Sequence, residues 1–249
     1  MIPVEIGIIG FGRFGRFASE LLRQDFRIAV FDRGKITPPR GIQCLSLEEV
    51  ASKPILIFCV PISQIESICK DVRPFLFPGQ LVLDTCSVKV FPVGVMQRRL
   101  PRFVEIVGTH PLFGPDSGSQ GIRDLRIALC PVRCRRLAKI KAYLEKKGLH
   151  VIVTTPQKHD REMAKTQALY HFLARGVARL KITAGALSTP GPARLFEDFK
   201  DVQNDSLELF SDLQTRNSHT ARIRRQLLES LRRIDQELTQ SGRKQTRKV

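Results

Sequence analysis

Apolar runs and amphipathic stretches alternate along the first 150 residues of this chain. Short apolar runs, typical of buried strands, occupy residues 4–9, 27–31, 55–60, 81–83, 104–107, 126–130 and 150–154. Stretches with helical periodicity lie between several of them, at residues 13–23, 62–69 and 133–147. Continuous apolar strands that alternate with helices are typical of a parallel sheet covered on both faces. We therefore expect an α/β domain over residues 1–154, built on a doubly wound parallel sheet.

After residue 155 the strand pattern gives way to helical periodicity. The pattern predicts one long helix over residues 160–181, a Pro/Gly break at 187–192, and two further helices over 193–213 and 221–238. An all-helical domain of residues 155–240 is too small to bury a large core alone. Packing on the first domain or on a second copy of the chain would compensate, so we expect a homodimer. Residues 241–249 are predicted to form a basic polar tail.

The composition limits the compartment and the kind of site. No apolar run reaches the roughly 18 residues of a membrane span, and the pattern of a signal peptide is missing. The six cysteines are scattered and no histidine cluster accompanies them, so we expect free thiols and no metal site. These features favour a cytoplasmic protein, or an organellar one if a transit peptide was removed.

The net charge of +17 is unusual for an enzyme that acts on small molecules. Such an excess can indicate a nucleic-acid partner, or a surface that suits polyanionic ligands. No recognised nucleic-acid-binding module accompanies the charge, and the chain has no tryptophan and two tyrosines for base stacking. A nucleic-acid partner is therefore not favoured.

A glycine motif follows the first predicted strand and opens the first predicted helix. It reads Gly10-Phe11-Gly12-Arg13-Phe14-Gly15. In a G-x-G-x-x-G motif the first glycine permits a tight turn, the second lets a diphosphate approach the backbone, and the third lets the helix pack closely on the strand. The diphosphate then lies at a helix N-terminus, which favours an anion. The motif predicts dinucleotide binding; the alternative is a glycine-rich turn in a sheet that binds no nucleotide.

An acidic residue, Asp32, ends the second predicted strand, about 20 residues after the motif, where a carboxylate bonds the ribose hydroxyls. Its charge would repel a 2′-phosphate, so we expect NAD. Three nearby basic residues leave NADP open, since any of them could neutralise that phosphate: Arg33, Lys35 and Arg40. Val60 and Pro61, at the end of the third strand, are expected to border the adenosine side of the cofactor site; the alternative is a simple strand terminus.

A histidine, His110, follows the apolar run 104–107 within the segment Gly-Thr-His-Pro-Leu-Phe-Gly-Pro, residues 108–115. Pro111 removes a backbone donor and fixes φ, so the chain around the histidine is rigid. The alternative is a histidine in a tight, well-packed turn. A second polar segment, Asp-Thr-Cys-Ser-Val-Lys at residues 84–89, also follows a strand, where ligands bind in open α/β sheets.

A third segment, residues 159–172, opens the helical region. Gln167 and His171 are four residues apart and share one helix face, either toward a ligand or as a polar stripe in a helix interface. His159 is interpreted as a helix-start residue, with Asp160 favourable in the first turn.

Taken together, these segments resemble the prephenate/arogenate dehydrogenase family, and their sequences are most similar to those of the compact plant-type arogenate dehydrogenases. The resemblance runs in order through nearly the whole chain: IGIIGFGRFGRF, SVK, THPLFGPDSG, HDREMA and DSLELFSDLQTRN. It implies a Rossmann-type domain followed by an all-helical dimerisation domain. It also implies an NAD(P)-dependent oxidative decarboxylation that converts a cyclohexadienol, prephenate or arogenate, to 4-hydroxyphenylpyruvate or tyrosine.

The resemblance also assigns roles to individual residues. His110 would withdraw the proton of the substrate hydroxyl, and Ser87 would bond both the histidine and the substrate or nicotinamide region; the alternative for Ser87 is a helix N-cap. Gln167 and His171 would contact the substrate's side chain. Family members place an arginine against a substrate carboxylate, for which Arg194 is the nearest candidate here and Lys200 another.

Asp116 follows the histidine segment and is our candidate for choosing between the two substrates. A carboxylate beside the site would favour the ammonium group of arogenate over prephenate. The alternative is that Asp116 bonds the amides of its own turn.

Two other classes of protein compete with this assignment. One is a different dehydrogenase with a Rossmann and a helical domain, which would need its own catalytic lysine or asparagine motif. The other is a non-enzymatic, basic nucleotide-binding protein that kept the fold. A salt-sensitive shift of DNA or RNA without NAD-dependent turnover would support the second.

Overall fold

The computed structural model describes residues 4–246, without the side chains of Asp201 and of residues 242–246. The chain divides into two compact units, Met1–Asp160 and Arg161–Val249. No helix within residues 4–246 is both long and apolar enough to cross a bilayer.

The first unit is an α/β domain whose strands and helices alternate. Its elements are β1 (Glu5–Ile9), α1 (Arg13–Leu22), β2 (Arg27–Phe31), β3 (Ile42–Cys44), α2 (Leu47–Ala51), β4 (Ile55–Phe58), α3 (Ile65–Val72), β5 (Leu81–Asp84), α4 (Val90–Arg99), β6 (Glu105–Pro111), β7 (Arg126–Arg133), α5 (Leu137–Lys146) and β8 (His150–Val153). The sequence pattern missed β3, α2 and α4. A local sign of α2 was available, because Ser46 and Glu49 form a capping box at its start.

The eight strands form one sheet in the order β3-β2-β1-β4-β5-β6-β7-β8. The first six follow the Rossmann order 3-2-1-4-5-6, which confirms the expected fold. One expectation was wrong in detail: β7 runs antiparallel to β6, while every other pair is parallel. The segment between β6 and β7 contains no helix, so the chain returns without a crossover.

The core of the first unit lies on both faces of this sheet. One apolar cluster surrounds β1 and β2, and another joins β5, β6 and β7 to the underside of α5. Because the central strands are buried on both faces, their sequences are continuously apolar rather than alternating. This packing fixes the ends of β1, β2, β4, β5 and β6, which carry the residues of interest.

The second unit contains only helices among its described residues. Helix α6 (Pro156–Lys165) leads into it, followed by α7 (Gln167–Arg179), α8 (Pro190–Gln203), α9 (Leu207–Thr215) and α10 (Thr220–Thr246). The single helix predicted over residues 160–181 was wrong, because the backbone of Thr166 leaves the helical region (φ −112°, ψ −91°) and separates α6 from α7.

Two other helix boundaries also differ from the prediction. The helix predicted over 193–213 is two helices, because Ser206 accepts a hydrogen bond from the backbone N–H of Leu209 and caps a new helix there. Residues 241–246 of the predicted basic polar tail continue helix α10, which ends at Thr246. Residues 247–249 of that tail lie outside the described residues.

Candidate active site

The loop between β1 and α1 has the geometry that the three glycines predict. Gly10 adopts φ +96°, and a Cβ there would lie 2.3 Å from the carbonyl oxygen of Cys59. A Cβ on Gly15 would lie 2.0 Å from the carbonyl oxygen of Gly10, so α1 packs directly on the turn. A Cβ on Gly12 would meet nothing within 4 Å. The middle glycine therefore leaves open space beside the backbone, while the outer two are required by the fold.

The N-terminus of α1 faces this open space. Gly12 is its N-cap residue, no side chain caps it, and its first turn holds no acidic residue. Unpaired amides and the positive end of the helix dipole favour an anion at such a position. The loop thus fits the diphosphate of a dinucleotide. Of its two phenylalanines, Phe11 is buried in the core and Phe14 packs on Phe17.

Asp32, directly after β2, is held beside the glycine loop. Its Oδ2 accepts a hydrogen bond from the N–H of Phe11 at 2.7 Å, and its Oδ1 accepts one from the N–H of Gly34 at 2.8 Å. The neighbouring Arg33 turns to α3, where it forms an ion pair with Asp71 at 2.8 Å. The carboxylate is thus fixed beside the glycine loop, and the adjacent guanidinium already has an anionic partner.

Val60 and Pro61 follow β4 and lie against the same loop. The Cγ1 atom of Val60 would be 3.0 Å from a Cβ on Gly10. The N–H of Cys59, just before them, bonds the carbonyl of Ile9 at 2.7 Å. The structure therefore brings the predicted cofactor residues of β1, β2 and β4 together at one edge of the sheet.

His110 lies inside β6 rather than past its end, and its side chain is only 2% exposed. Its Nδ1 atom is 2.9 Å from Nε2 of His159, and Nδ1 of His159 is 2.8 Å from Oδ1 of Asp160. All three side chains are buried. They form a chain of hydrogen bonds that ends on a carboxylate.

Asp160 also binds the backbone at the start of α4, so the interpretation of His159 and Asp160 as helix-start residues was wrong. Its two oxygens accept hydrogen bonds from the N–H groups of Lys89 and Val90, at 2.7 and 2.9 Å. The carboxylate therefore caps α4, and α6 has no acidic residue in its own first turn. His159 is not a mere helix-start residue but the partner of His110. Sequence spacing gave no indication of this, because the two histidines are 49 positions apart.

The donor and acceptor roles in these hydrogen bonds determine which ring nitrogen of His110 carries a proton. An ionised carboxylate only accepts, so His159 donates from Nδ1 to Asp160 and accepts at Nε2 from the Nδ1–H of His110. This leaves the Nε2 of His110 with a free lone pair. Burial, with the nearby His159 and Lys89, lowers the pKa of His110 well below its ordinary value of 6.5. His110 is therefore neutral near pH 7 and can accept a proton at Nε2.

Ser87 is half-buried after β5 and makes no hydrogen bond within the part of the chain that the structure describes. The alternative role as a helix N-cap was wrong, since Lys89 is the N-cap residue of α4 and Asp160 supplies the capping oxygens. The expected bond to His110 is not formed here. The role of Ser87 toward a ligand stays a prediction.

A buried ion pair that the sequence analysis missed lies beside the histidine chain. The ammonium group of Lys89 bonds the carboxylate of Asp84, and both side chains are fully buried. The same ammonium donates to the carbonyl of Thr109, the residue before His110. Lys89 thus ties the end of β5 to the strand that carries the histidine.

Asp116 lies in the loop after β6, and its carboxylate bonds the guanidinium of Arg13 from the glycine loop. Both carboxylate oxygens take part, at 2.7 and 2.9 Å from Nη2. The alternative that this side chain bonds its own turn amides was therefore wrong. The segment after His110 is instead attached to the predicted diphosphate loop by an exposed ion pair.

Two residues of α7 carry unsatisfied buried atoms. Oε1 of Gln167 and Nδ1 of His171 are buried without a hydrogen-bond partner among the described residues. Burial and the charge of Arg175 lower the pKa of His171 to about 4, so its ring is neutral near pH 7, 3.8 Å from the carboxylate of Asp205. Buried polar atoms normally have partners, so this face favours contact with a ligand.

The basic residues of the second unit differ in their surroundings. Arg194, the predicted carboxylate anchor, is exposed on α8, and Lys200 pairs with Glu197. Arg175, which no sequence motif distinguishes from the other arginines, lies one turn beyond His171 and donates to the carbonyl of Asp205. Its Nε atom is buried without a partner among the described residues. Arg175 is therefore better placed than Arg194 to meet an anionic group beside His171.

Comparison with known proteins relates this chain to one family of dehydrogenases. Residues 42–153 match the family described as prephenate dehydrogenase, nucleotide-binding domain. Arogenate dehydrogenase 1, chloroplastic, of Arabidopsis thaliana is 27% identical over 226 residues, which is 84% of this chain and 35% of the relative. Arogenate dehydrogenase 2, chloroplastic, of the same plant is 28% identical over 254 residues, 93% of this chain and 67% of the relative. The chain thus spans from about a third to two thirds of these relatives.

A solved structure has the same fold. It is the prephenate dehydrogenase of A. aeolicus in complex with hydroxyphenyl propionate and NAD+, which superimposes with a TM-score of 0.75. The likeness covers 97% of this chain and 93% of that chain at 19% sequence identity. A sequence identity this low supports a shared fold and nothing more.

Proposed function

From the premise that this chain is related to the arogenate and prephenate dehydrogenases and carries their nucleotide-binding domain, we propose that it is an NAD(P)-dependent dehydrogenase of this kind. The observation that supports the proposal most strongly is the buried row of hydrogen bonds from His110 through His159 to Asp160. It leaves Nε2 of His110, in a strand of the Rossmann-type sheet, free to accept a proton. NADH formation from prephenate or arogenate, absent without either substrate, tests it.

The proposed reaction is an oxidative decarboxylation of a cyclohexadienol. A bound nicotinamide would supply the acceptor for the hydride of the carbon that bears the hydroxyl group. His110 accepts the hydroxyl proton at Nε2, while the ring carboxylate leaves as carbon dioxide and the electrons of its bond complete the aromatic ring. The proton makes His110 an imidazolium, and Asp160 stabilises that charge through His159. When carbon dioxide has left, the imidazolium returns the proton to the ring oxygen, which gives the neutral phenol and restores neutral His110. Because aromatisation drives the reaction, the protein has mainly to orient the substrate and to accept and return one proton.

The cofactor contacts we propose follow from the fit of the glycine loop. The backbone at Gly12 and the first turn of α1 would hold the diphosphate, and Asp32 would bond the adenosine ribose. Val60 and Pro61 would border the adenosine. Arg33 would stay with Asp71, which leaves the carboxylate of Asp32 to repel a 2′-phosphate.

We therefore expect kcat/KM to be higher with NAD+ than with NADP+. Steady-state turnover with each cofactor at saturating substrate measures the ratio. Replacing Asp32 with asparagine removes the repulsion and should narrow the difference. Equal or better turnover of the unchanged protein with NADP+ would contradict this preference.

For the substrate, we propose that Gln167 and His171 contact the side chain of prephenate or arogenate. Their unpartnered buried atoms support this. Arg175, rather than the exposed Arg194, is proposed to meet a substrate carboxylate, because its buried Nε lacks a partner among the described residues. A neutral His171 suits a hydrogen bond to a polar group without adding charge.

We propose that Asp116 influences the choice between the two substrates. Arogenate carries an ammonium group where prephenate carries a keto group, so a carboxylate near it favours arogenate. In this structure Asp116 is paired with Arg13. The proposed preference therefore requires Asp116 to exchange Arg13 for the ammonium group of arogenate, and breaking an exposed ion pair costs little free energy. Asp116→Asn should lower the arogenate-to-prephenate ratio of kcat/KM several-fold. An unchanged ratio would exclude Asp116 from substrate choice.

We also propose a homodimer that is joined through the helical unit. Apolar side chains at helical spacing remain exposed along α10: Leu228, Leu231, Ile234 and Leu238. A second copy of this stripe would cover them. Light scattering should give twice the chain mass of 28.2 kDa, and Leu231→Asp with Ile234→Asp should lower it. A monomeric unchanged protein would contradict the dimer.

The cytoplasm remains our proposal for the compartment, supported by six cysteines that are free of disulfides.

A further inference from the structure

A basic cavity lies within the second unit, between α6 and the start of α10. It has a volume of about 420 Å³ and is lined by Arg161, Lys165, His219, Arg222, Ile223 and Gln226. Arg161 and Lys165 are one turn apart on α6, His219 directly precedes α10, and the other residues lie in the first two turns of α10. None of them belongs to the face of Gln167 and His171. The cavity therefore shares no residue with the proposed substrate contacts.

The basic side chains of this cavity have no ion-pair partner among the residues that the structure describes. Neither Arg161, Lys165 nor Arg222 forms an ion pair with a carboxylate of the described residues, and the lining contains no acidic side chain. Other arginines nearby are engaged: Arg216 pairs with Asp212, and Arg224 bonds Gln214. Three solvent-exposed basic side chains thus line one cavity, and none of them pairs with a carboxylate of the described residues.

The N-terminus of α10 increases this positive potential. The helix runs for 27 residues and its first turn has no acidic residue. Arg222 stands in that turn, where the helix dipole disfavours a cation. An anion bound between the helix end and the exposed basic side chains would be favoured by both. The cavity volume falls in the usual range for sites of small molecules.

We propose that this cavity binds a small polyanion, with two guanidinium groups and one ammonium group that hold its phosphate or carboxylate oxygens. Guanidinium groups bond such oxygens in pairs, and an ammonium group adds a point charge. Ile223 and Gln226 provide a short apolar wall and an amide for the body of the ligand. The site does not depend on the proposed dehydrogenase activity, and it gives part of the +17 charge a function.

Calorimetric titration of the full chain at low ionic strength tests the proposal, with inorganic phosphate and citrate as separate probes. Arg161→Gln with Arg222→Gln should weaken saturable binding by at least about tenfold. The matched control is Arg225→Gln with Arg232→Gln, which removes the same charge from exposed positions of α10 outside the cavity and should leave affinity within about twofold. Circular dichroism checks that both variants stay folded.

The two probes distinguish the class of anion. Tighter binding of phosphate assigns the site to phosphorylated ligands, and tighter binding of citrate assigns it to polycarboxylates; either supports the proposal. Equal weakening in both double variants would mean that the overall charge, and not the cavity, attracts anions. That result, or no saturable binding of either probe, would overturn it.

Discussion

Replacing His110 with asparagine should lower kcat by about two to four orders of magnitude while the fold is retained. Asparagine can still fill part of the buried space and bond His159, but it has no basic nitrogen to take the substrate's proton. Because the proposed cofactor contacts lie on other residues, the affinity for NAD+ should change little. Stopped-flow and steady-state rates with either substrate measure kcat, and fluorescence of bound NADH measures cofactor affinity.

His150→Asn provides a matched control, since His150 is exposed on β8. That variant should keep normal turnover. The pH profile gives a second check, because the lowered pKa keeps the His110 ring of the free protein neutral down to a lower pH than that of an ordinary histidine. The acid limb of kcat/KM should therefore lie below pH 6.5, with activity lost as pH falls and His110 becomes protonated. Near-normal turnover of His110→Asn would remove this residue from the mechanism.

Replacing Lys89 with methionine should lower the free energy of unfolding by about 3–5 kcal/mol. The ammonium group is the buried counter-ion of Asp84, whose Oδ1 atom already lacks a hydrogen-bond partner among the described residues. Methionine fills similar space but leaves a buried carboxylate uncompensated and the carbonyl of Thr109 without its donor. Urea denaturation followed by circular dichroism measures the loss.

Two further variants make this test decisive. Lys141→Met removes a lysine from an exposed ion pair with Glu145 and should change stability by no more than about 0.5 kcal/mol. Asp84→Leu with Lys89→Met removes both buried charges and should recover part of the lost stability, because no lone charge remains. If Lys89→Met were as stable as Lys141→Met, the buried pair would not hold β5 and β6 together.

The elements that the sequence predicted well are those with strong local patterns. The apolar run Arg27–Phe31 is a strand with the predicted limits, and the glycines at 10, 12 and 15 adopt the geometry expected of them. Helix α4 was missed because Pro92 and Gly94 weaken its helical pattern. Its start depends on Asp160, a capping residue about 70 positions away, which no local pattern contains.

The site was predictable in its residue types but not in its connections. His110 was identified from the rigid segment around it, yet its partner His159 comes from another element and was interpreted as a helix-start residue. Arg175 was overlooked for a similar reason: only burial separates it from the other arginines of the second unit. Long-range burial and pairing decide these roles, and they arise from tertiary packing rather than spacing.

The most direct test of the central claim is a single assay of products with the purified chain. Prephenate and arogenate are supplied separately with NAD+, and NADH, carbon dioxide and the aromatic product are quantified together. We predict equal molar amounts of all three from at least one substrate, with formation reduced by at least about a hundredfold in His110→Asn. No NADH from either substrate with NAD+ or NADP+, or equal yields from His110→Asn, would contradict it.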